Sequence, residues 1–202
     1  MRVIPTRAGL LRRVRNLLNG RRVEKRIVAG LNIDSAKAGL AVRSPLELVA
    51  FRFDIRIKYI YARQIERGDY QEGMELYRRH LKSWNGFAER TSAAPPEKVG
   101  FDKFNDSFIT LLDDVKNGSF DWQRSPVPIV DGYPVNGAHR VAACLCFNKF
   151  VPCIHVFREQ GQIRVFNERF FLTLPGIDQV FIDRVNEAFL SEIEVQFGTI
   201  RP

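Results

Sequence analysis

The stretch over residues 127–156 constrains the fold most strongly, because short extended runs, turns and one helical run alternate within it. An apolar run, Val127–Val130, meets a turn at Asp131-Gly132, and a second extended piece ends at Val135. An apolar helical stretch then follows Arg140, and a strand-like run covers residues 151–157. This order predicts strand, turn, strand, helix and strand, and with the helical patterns elsewhere it indicates an α+β fold.

Five residues fall at the predicted start of that helix: Asn136, Gly137, Ala138, His139 and Arg140. First-turn N–H groups lack intrahelical partners and lie at the positive end of the helix dipole, so they can hold an anion. Small residues allow close approach to the backbone, an arginine offers a bidentate fork to phosphate, and a histidine can donate to an oxyanion or carry a proton. The segment predicts a phosphate-type site. The alternative is an ordinary helix start in which Arg140 forms a structural ion pair.

Positive charge is concentrated at the N-terminus. Residues 1–30 contain 9 basic residues against Glu24 alone, a net charge of 9 − 1 = +8. The rest of the chain holds 31 − 9 = 22 basic and 23 − 1 = 22 acidic residues and is neutral. The high isoelectric point therefore belongs to the N-terminal arm, which argues against nucleic acid as a partner of the body.

The chain divides into a basic amphipathic arm, residues 1–30, and one domain, residues 46–202, with a helical insertion over about 56–98. In the arm, residues 9–28 place leucines at helical spacing with arginines between them. Such a helix can pack on the body, contact an anionic membrane surface or another polyanion, or stay disordered. No apolar run approaches the ~20 residues that cross a bilayer, and the N-terminus lacks the apolar core of a signal peptide.

Three cysteines, Cys144, Cys146 and Cys153, lie in apolar surroundings. Their odd number argues against a disulfide framework, and their spacing is a poor zinc pattern. Buried free thiols in a cytoplasmic protein are the prediction, with membrane association through the arm as an open possibility.

Before the central stretch, residues 29–45 are predicted to be a connector and residues 48–55 a strand, because Phe51, Phe53 and Ile55 alternate with charged residues. A helix is predicted from Arg56 to Gly68, and a second over residues 70–84 with Asp69 as its N-cap and Glu72 in capping-box position.

A loop rich in Ser, Ala and Pro, residues 91–97, is the candidate lid. The next predicted helix starts after Asp106 or Ser107 and ends at Gly118. After the central stretch, residues 163–166 are predicted to close a hairpin with residues 151–157. A last amphipathic helix covers residues 177–195.

The order of these elements resembles the ParB N-terminal/sulfiredoxin superfamily. The features are a helix with a Leu-Leu pair and a following glycine (residues 108–118), a Pro-Ile-Val strand, a short hairpin, a Gly-x-His-Arg helix start and a Val-Pro strand. The resemblance covers residues 100–157, with residues 48–55 as a further strand. It implies a small mixed sheet with packed helices. It also implies that Gly137, Ala138, His139 and Arg140, with Asn136 beside them, grip nucleotide phosphates.

The superfamily is functionally diverse, and residues of this chain favour one of its branches. Sulfiredoxins have a cysteine where this chain has Ala138. ParB proteins continue into a helix-turn-helix region, whereas about 45 residues follow the motif here. A third branch phosphorylates small molecules with a nucleotide, and its Asp-Gly-His motif before an Arg is similar to residues 136–140. This similarity implies ATP, ADP or CTP with Mg²⁺ as the cofactor.

Phosphoryl transfer also needs a group that orients or deprotonates the acceptor hydroxyl. Asp54 is the first candidate, and Glu89 and Asp131 are further carboxylates that this role can use. Each can instead be solvated or ion-paired. Together with Glu89, the residues Lys58, His80 and Lys103 are candidates for substrate contacts. With His139, Asp54 completes the predicted catalytic pair.

Three functions are consistent with these residues. The first is a nucleotide-dependent phosphotransferase, a kinase or nucleotide hydrolase, acting on a small hydroxylated molecule or a sugar. The second is a nucleotide-binding regulatory module without turnover. The third is a ParB-like DNA-binding protein, which the neutral body disfavours.

Overall fold

The chain was analysed as a computed structural model that describes residues 40–89, 98–156 and 166–198. These residues form a mixed α+β fold. The strands are β1 (Leu40–Arg43), β2 (Val127–Val130), β3 (Tyr133–Pro134) and β4 (Val151–His155). The helices are α1 (Pro45–Val49), α2 (Phe53–Arg67), α3 (Gln71–Asn85), α4 (Phe101–Asn117), α5 (Ala138–Cys146), α6 (Glu168–Phe171) and α7 (Gln179–Phe197).

The four described strands form one sheet in the order β1-β4-β2-β3. Strand β2 is parallel to β4, with Val127 opposite Cys153, and antiparallel to β3, with Ile129 opposite Pro134. The parallel pair requires a crossover, and β3 and α5 supply it. The predicted order of strand, turn, strand, helix and strand is confirmed, and the crossover brings the start of α5 to one end of the sheet.

Helix α2 is the centre of the helical layer. It packs against α3, α5 and α7, and both apolar and charged residues along it are buried. Tyr61 stacks on Tyr77 of α3 at 5.3 Å between ring centroids. Because α2 has neighbours on several sides, a charged group on one of its buried faces must find a partner inside the protein.

The predicted strand over residues 48–55 is wrong, since α1 and the first turn of α2 occupy this region. Phe53 and Ile55 are buried, as the alternating pattern indicated, but Asp54 between them is buried as well. The charged residues of this range are therefore not on a solvent-facing side. The alternation of apolar and charged residues does not correspond to the two faces of a strand. The edge strand is instead β1, which lies inside the predicted connector and ahead of the predicted domain boundary at residue 46.

Two predicted helix starts are also displaced. Helix α3 has Tyr70 as its N-cap residue rather than Asp69, and no side chain caps it. Helix α4 begins at Phe101, after Gly100, several residues before the predicted caps at Asp106 and Ser107. The predicted glycine ends at Gly68 and Gly118 are confirmed, because both glycines are left-handed C-caps.

Helix α7 confirms the predicted last helix, and α6 is an additional short helix before it. All three cysteines are buried and free. None of the helices within the described ranges combines the length and the apolarity that crossing a bilayer requires. The arm, the candidate lid and most of the predicted strand at residues 163–166 lie outside the described residues.

Candidate functional site

A cavity of about 630 Å³ lies between the start of α5, the start of α2, the end of α3 and the region around α6. This volume is within the usual range for sites that bind small molecules. Its polar wall residues are Arg52, Asp54, Lys58, His80, Asn85, Glu89, Asn136, His139 and Thr173. Its apolar wall includes Trp84, Phe104, Phe166 and Phe170.

The Asp54 carboxylate is fully engaged by two cations. Arg52 binds it in a bidentate manner, with Nε donating to Oδ1 at 2.9 Å and Nη2 to Oδ2 at 2.7 Å. Lys58 Nζ, one turn along α2, donates to Oδ2 at 2.8 Å. Burial alone would raise the pKa of Asp54, but the charges of Arg52 and Lys58 hold it well below its ordinary value. Asp54 is therefore an ionised anchor for these cations.

His80 on α3 continues this chain of contacts. Lys58 Nζ lies 3.2 Å from His80 Nε2, and burial followed by the charge of Lys58 keeps the pKa of His80 well below its ordinary value. An ammonium has no lone pair, so Nε2 is the acceptor and the proton of the neutral ring is on Nδ1. That Nδ1 is buried and has no hydrogen-bond partner among the described residues.

His139 on the first turn of α5 is held by aromatic neighbours. The Tyr77 hydroxyl and His139 Nε2 are 2.8 Å apart, and the Phe108 ring centroid is 4.9 Å from that of the imidazole. Burial, with the charge of Lys58 as the next cause, lowers the pKa of His139 well below its ordinary value. The imidazole is thus neutral and fixed in orientation beside the cavity.

The start of α5 presents backbone N–H groups without a side-chain cap. Gly137 is its N-cap residue, with φ at 86°, a left-handed conformation that a glycine adopts without strain. A Cβ there would lie 2.9 Å from the Arg140 guanidinium. A glycine is therefore required at position 137, both by the left-handed backbone and by the close packing of the Arg140 side chain. Asn136, Ala138 and His139 line the cavity.

Arg140 points away from the cavity. Its Nη1 donates to the Ser125 carbonyl and hydroxyl oxygens at 2.7 and 2.8 Å and to the Pro126 carbonyl at 2.7 Å. These contacts tie α5 to the segment before β2. The position of Arg140 therefore does not support the prediction that it binds phosphate. The alternative of a structural role fits its contacts better, although its partners are mainly carbonyl groups and not a carboxylate.

Glu89 is the second carboxylate of the cavity wall. Its Oε2 is buried and has no hydrogen-bond partner among the described residues, and its backbone N–H bonds the Lys98 carbonyl at 3.0 Å. The described residues contain no group of three His, Cys, Asp or Glu side chains that could hold a metal ion. This donor set does not fit a metal held by the protein alone.

The structure brings most of the predicted site residues together. Asp54, Lys58, His80, Glu89, Asn136, Ala138 and His139 line one cavity. Lys103 is exposed on the first turn of α4 and does not line it, so its predicted substrate contact lacks the required position. Asp131, in the turn between β2 and β3, is exposed and also outside the cavity wall.

Arg52 and the aromatic wall were not predicted as site residues. Arg52 is buried, also donates to the Pro134 carbonyl at 3.2 Å, and its guanidinium lies 4.6 Å from the Phe166 ring centroid. A signal for it exists in the sequence, because two opposite charges two residues apart in an apolar run are costly to bury unless they pair. Phe166 and Phe170 reach the cavity through long-range packing that no local pattern indicates.

Comparisons of this chain with protein-family models, with curated proteins and with solved structures find no match. The similarity to the ParB N-terminal/sulfiredoxin superfamily therefore stays a prediction from the sequence.

Proposed function

We propose that this protein is a nucleotide-dependent phosphotransferase, a kinase or nucleotide hydrolase, that acts on a small hydroxylated molecule or a sugar. One observation carries the proposal: a single cavity has the uncapped start of α5 on one wall and, on another, a buried Glu89 oxygen that bonds none of the described residues. The first feature suits a phosphate, and the second suits a hydroxyl group.

In this proposal the phosphate lies at the start of α5, where first-turn N–H groups that no side chain caps and the helix dipole favour an anion. His139, beside them, is neutral and can donate to a phosphoryl oxygen if the Tyr77 hydroxyl donates to its Nε2. Of the wall cations, Arg52 keeps N–H groups beyond the two that bind Asp54 and the one that binds Pro134. These donors act on charge that develops during transfer.

Glu89 replaces Asp54 as the proposed base. Both Asp54 oxygens accept hydrogen bonds from Arg52 or Lys58, and its pKa is depressed, so it is a poor proton acceptor. In the proposed step the acceptor oxygen forms a bond to the terminal phosphorus, and the bond from phosphorus to the bridging oxygen breaks. The hydroxyl proton passes to Glu89, and the leaving nucleotide takes the electron pair.

Magnesium enters this proposal only as part of the nucleotide. The described residues do not form a protein-held metal site, whereas Mg²⁺ is commonly bound through substrate phosphates and few carboxylates.

A non-catalytic nucleotide-binding module is the second candidate. The observation that favours it is the engagement of the buried charges, since Asp54, Lys58 and His80 bond one another rather than an open position. Turnover decides between the two candidates, because both predict nucleotide binding.

The first experiment measures thermal unfolding of the full chain with ATP, ADP or CTP, each with and without Mg²⁺. A ligand that binds the native state stabilises it by RT ln(1 + [L]/Kd), so at 100 times Kd the gain is about 2.7 kcal/mol and the melting temperature rises. If none of these nucleotides shifts the transition at millimolar concentration, the proposal is wrong.

The second experiment follows transfer of labelled terminal phosphate to a panel of hydroxyl acceptors and to water. We expect His139→Ala and Glu89→Gln to lower kcat at least tenfold while the far-ultraviolet circular dichroism is retained. Lys103→Ala, on the exposed surface away from the cavity, is the matched control and should keep wild-type rates. Nucleotide binding without turnover on any acceptor would favour the regulatory module instead.

A further inference from the structure

His80, a residue of the cavity wall, has a ring nitrogen that bonds none of the described residues. The residue is 2% exposed and lines the cavity, and its Nδ1 has no partner among the described residues. Since Lys58 donates to Nε2, the Nδ1 position carries the proton. A buried donor without an acceptor costs free energy, so a ligand oxygen that accepts from it is expected.

The His80 imidazole packs against aromatic side chains. The centroids of Trp84 and Phe171 lie 6.5 and 5.4 Å from that of the imidazole. Trp84 in turn contacts Phe166 and Phe170 edge-on, at 5.0 and 5.4 Å, and these three residues line the cavity. Flat apolar rings next to a few fixed polar groups match a molecule with both C–H faces and hydroxyl groups.

The cavity has little positive charge to spare for a charged acceptor. Lys58 Nζ has three protons, and three acceptors surround it: Asp54 Oδ2 at 2.8 Å, the Asp54 carbonyl at 3.4 Å and His80 Nε2 at 3.2 Å. Arg52 and Lys58 are the cations of the wall, and Asp54 and Glu89 balance them. Because the remaining N–H groups of Arg52 are assigned to the phosphate, a substrate carboxylate at His80 would have no cation of its own among the described wall residues, which is unfavourable.

We propose that the phosphoryl acceptor is a neutral polyhydroxylated molecule, a sugar or polyol, and that His80 Nδ1–H donates a hydrogen bond to one of its oxygens. This inference rests on the proposed function and specifies its acceptor. Lys58 is a positioning residue in this scheme, because it fixes the tautomer of His80 without touching the substrate.

Two substitutions of similar shape test the two ring nitrogens of His80 one at a time. In His80→Asn the amide nitrogen approximates Nδ1, so the donor to the substrate is retained and the bond to Lys58 is lost. In His80→Gln the polar end lies nearer Nε2, so the contact with Lys58 is retained and the donor is lost. Thermal melts of both variants show whether each is folded before any binding is measured.

The binding assay uses glucose and ribitol as uncharged probes, and L-serine, a zwitterion, and glycolate, an anion, as probes that bear a charged carboxylate. Binding is measured by saturation-transfer NMR without nucleotide and by labelled-phosphate transfer with it. We expect the wild type to bind the uncharged probes and not those with a carboxylate. His80→Gln should weaken binding of the uncharged probes at least tenfold, and His80→Asn by less than threefold. The nucleotide-induced rise in melting temperature should stay unchanged in both.

Preference of the wild type for serine or glycolate would overturn the inference, as would equal losses in the Asn and Gln variants. If the proposed function is wrong, nucleotides will not shift the melting temperature. Saturation-transfer NMR without nucleotide still tests sugar binding in that case. If both variants unfold, Lys58→Met with the same probes is the substitute, and unchanged probe binding there would contradict the role of Lys58 in orienting His80.

Discussion

Two of the three histidines of the chain, His80 and His139, are held neutral inside the protein. Burial is the main cause of their lowered pKa values, and the charge of Lys58 is the next. In the unfolded chain both would titrate near their ordinary value of ~6.5. The folded and unfolded states therefore bind different numbers of protons in mildly acidic solution, and stability must depend on pH there.

The sign of this dependence follows from the direction of the shifts. At a pH below ~6.5 the unfolded state takes up protons on both histidines while the folded state does not, so acid favours unfolding. Each histidine contributes a loss of up to about 1.4 kcal/mol per pH unit, and together we expect roughly 2 kcal/mol between pH 7 and pH 5.5. Urea denaturation across this range measures the slope.

The variant His80→Gln should remove about half of that slope, whatever it does to the absolute stability at pH 7. Asp54 does not interfere, because its lowered pKa gives a loss of stability only as the pH falls through and below ~4. A wild-type stability that stays flat from pH 7 to pH 5.5 would contradict the neutral assignment of both histidines.

For individual residues, the sequence predicted several members of the cavity wall but not the role of each. Asp54, Lys58, His80 and Glu89 were predicted from their chemistry, and the cavity contains all four. The role of each residue depends on distances between side-chain atoms in the folded protein, which no sequence pattern contains. Arg52 binds both Asp54 oxygens, and this contact turns the expected base into an anchor.

Individual elements show where local patterns are sufficient. The residues from Val127 to His155 form the predicted strands and helix because turn residues separate short runs of different periodicity. Residues 48–55 misled the prediction because α2 is buried on several sides, so charged and apolar positions are both inside. Only the first turn of α2 lies in this range, which is too short to show the 3.6-residue pattern, and its aromatic and β-branched residues favour a strand by propensity.

Helix caps give a direct test at the level of the element. Asp178 caps α7, because its Oδ1 accepts from the Phe181 N–H at 2.8 Å. Asp69, which the sequence predicted to cap α3, makes no such bond. We expect Asp178→Ala to lower the free energy of unfolding by about 1 kcal/mol and Asp69→Ala to change it by less than about 0.5 kcal/mol. Chemical denaturation of both variants measures the difference.

Asp178→Asn is the matched control, since asparagine caps a helix as well as aspartate does. It removes the ion pair with Arg79, which is exposed on both sides and contributes little. Equal destabilisation by the Asn and Ala variants would mean that the ion pair, rather than the cap, stabilises this end of α7.

For the whole molecule, the charge is divided between a basic N-terminal arm and a neutral body. The body is neutral, and in the cavity wall both Arg52 and Lys58 pair with Asp54, so the cavity has no general positive field. The +8 of residues 1–30 is therefore the part of the chain that can attract a polyanion over a distance. An anionic membrane surface is the partner we propose for it, and nucleic acid is the competing one.

This separation predicts that attraction to anionic surfaces can be removed without affecting the site. Changing Arg12, Arg13, Arg15, Arg21 and Arg22 to Gln in the full chain lowers the charge of the arm from +8 to 8 − 5 = +3. With about 1 kcal/mol per basic residue near an anionic bilayer, binding to phosphatidylserine vesicles should fall by more than a hundredfold. Cosedimentation at low and high salt measures it, and the nucleotide-induced thermal shift should remain. DNA binding that survives these changes would place a polyanion site on the body and favour the ParB-like function.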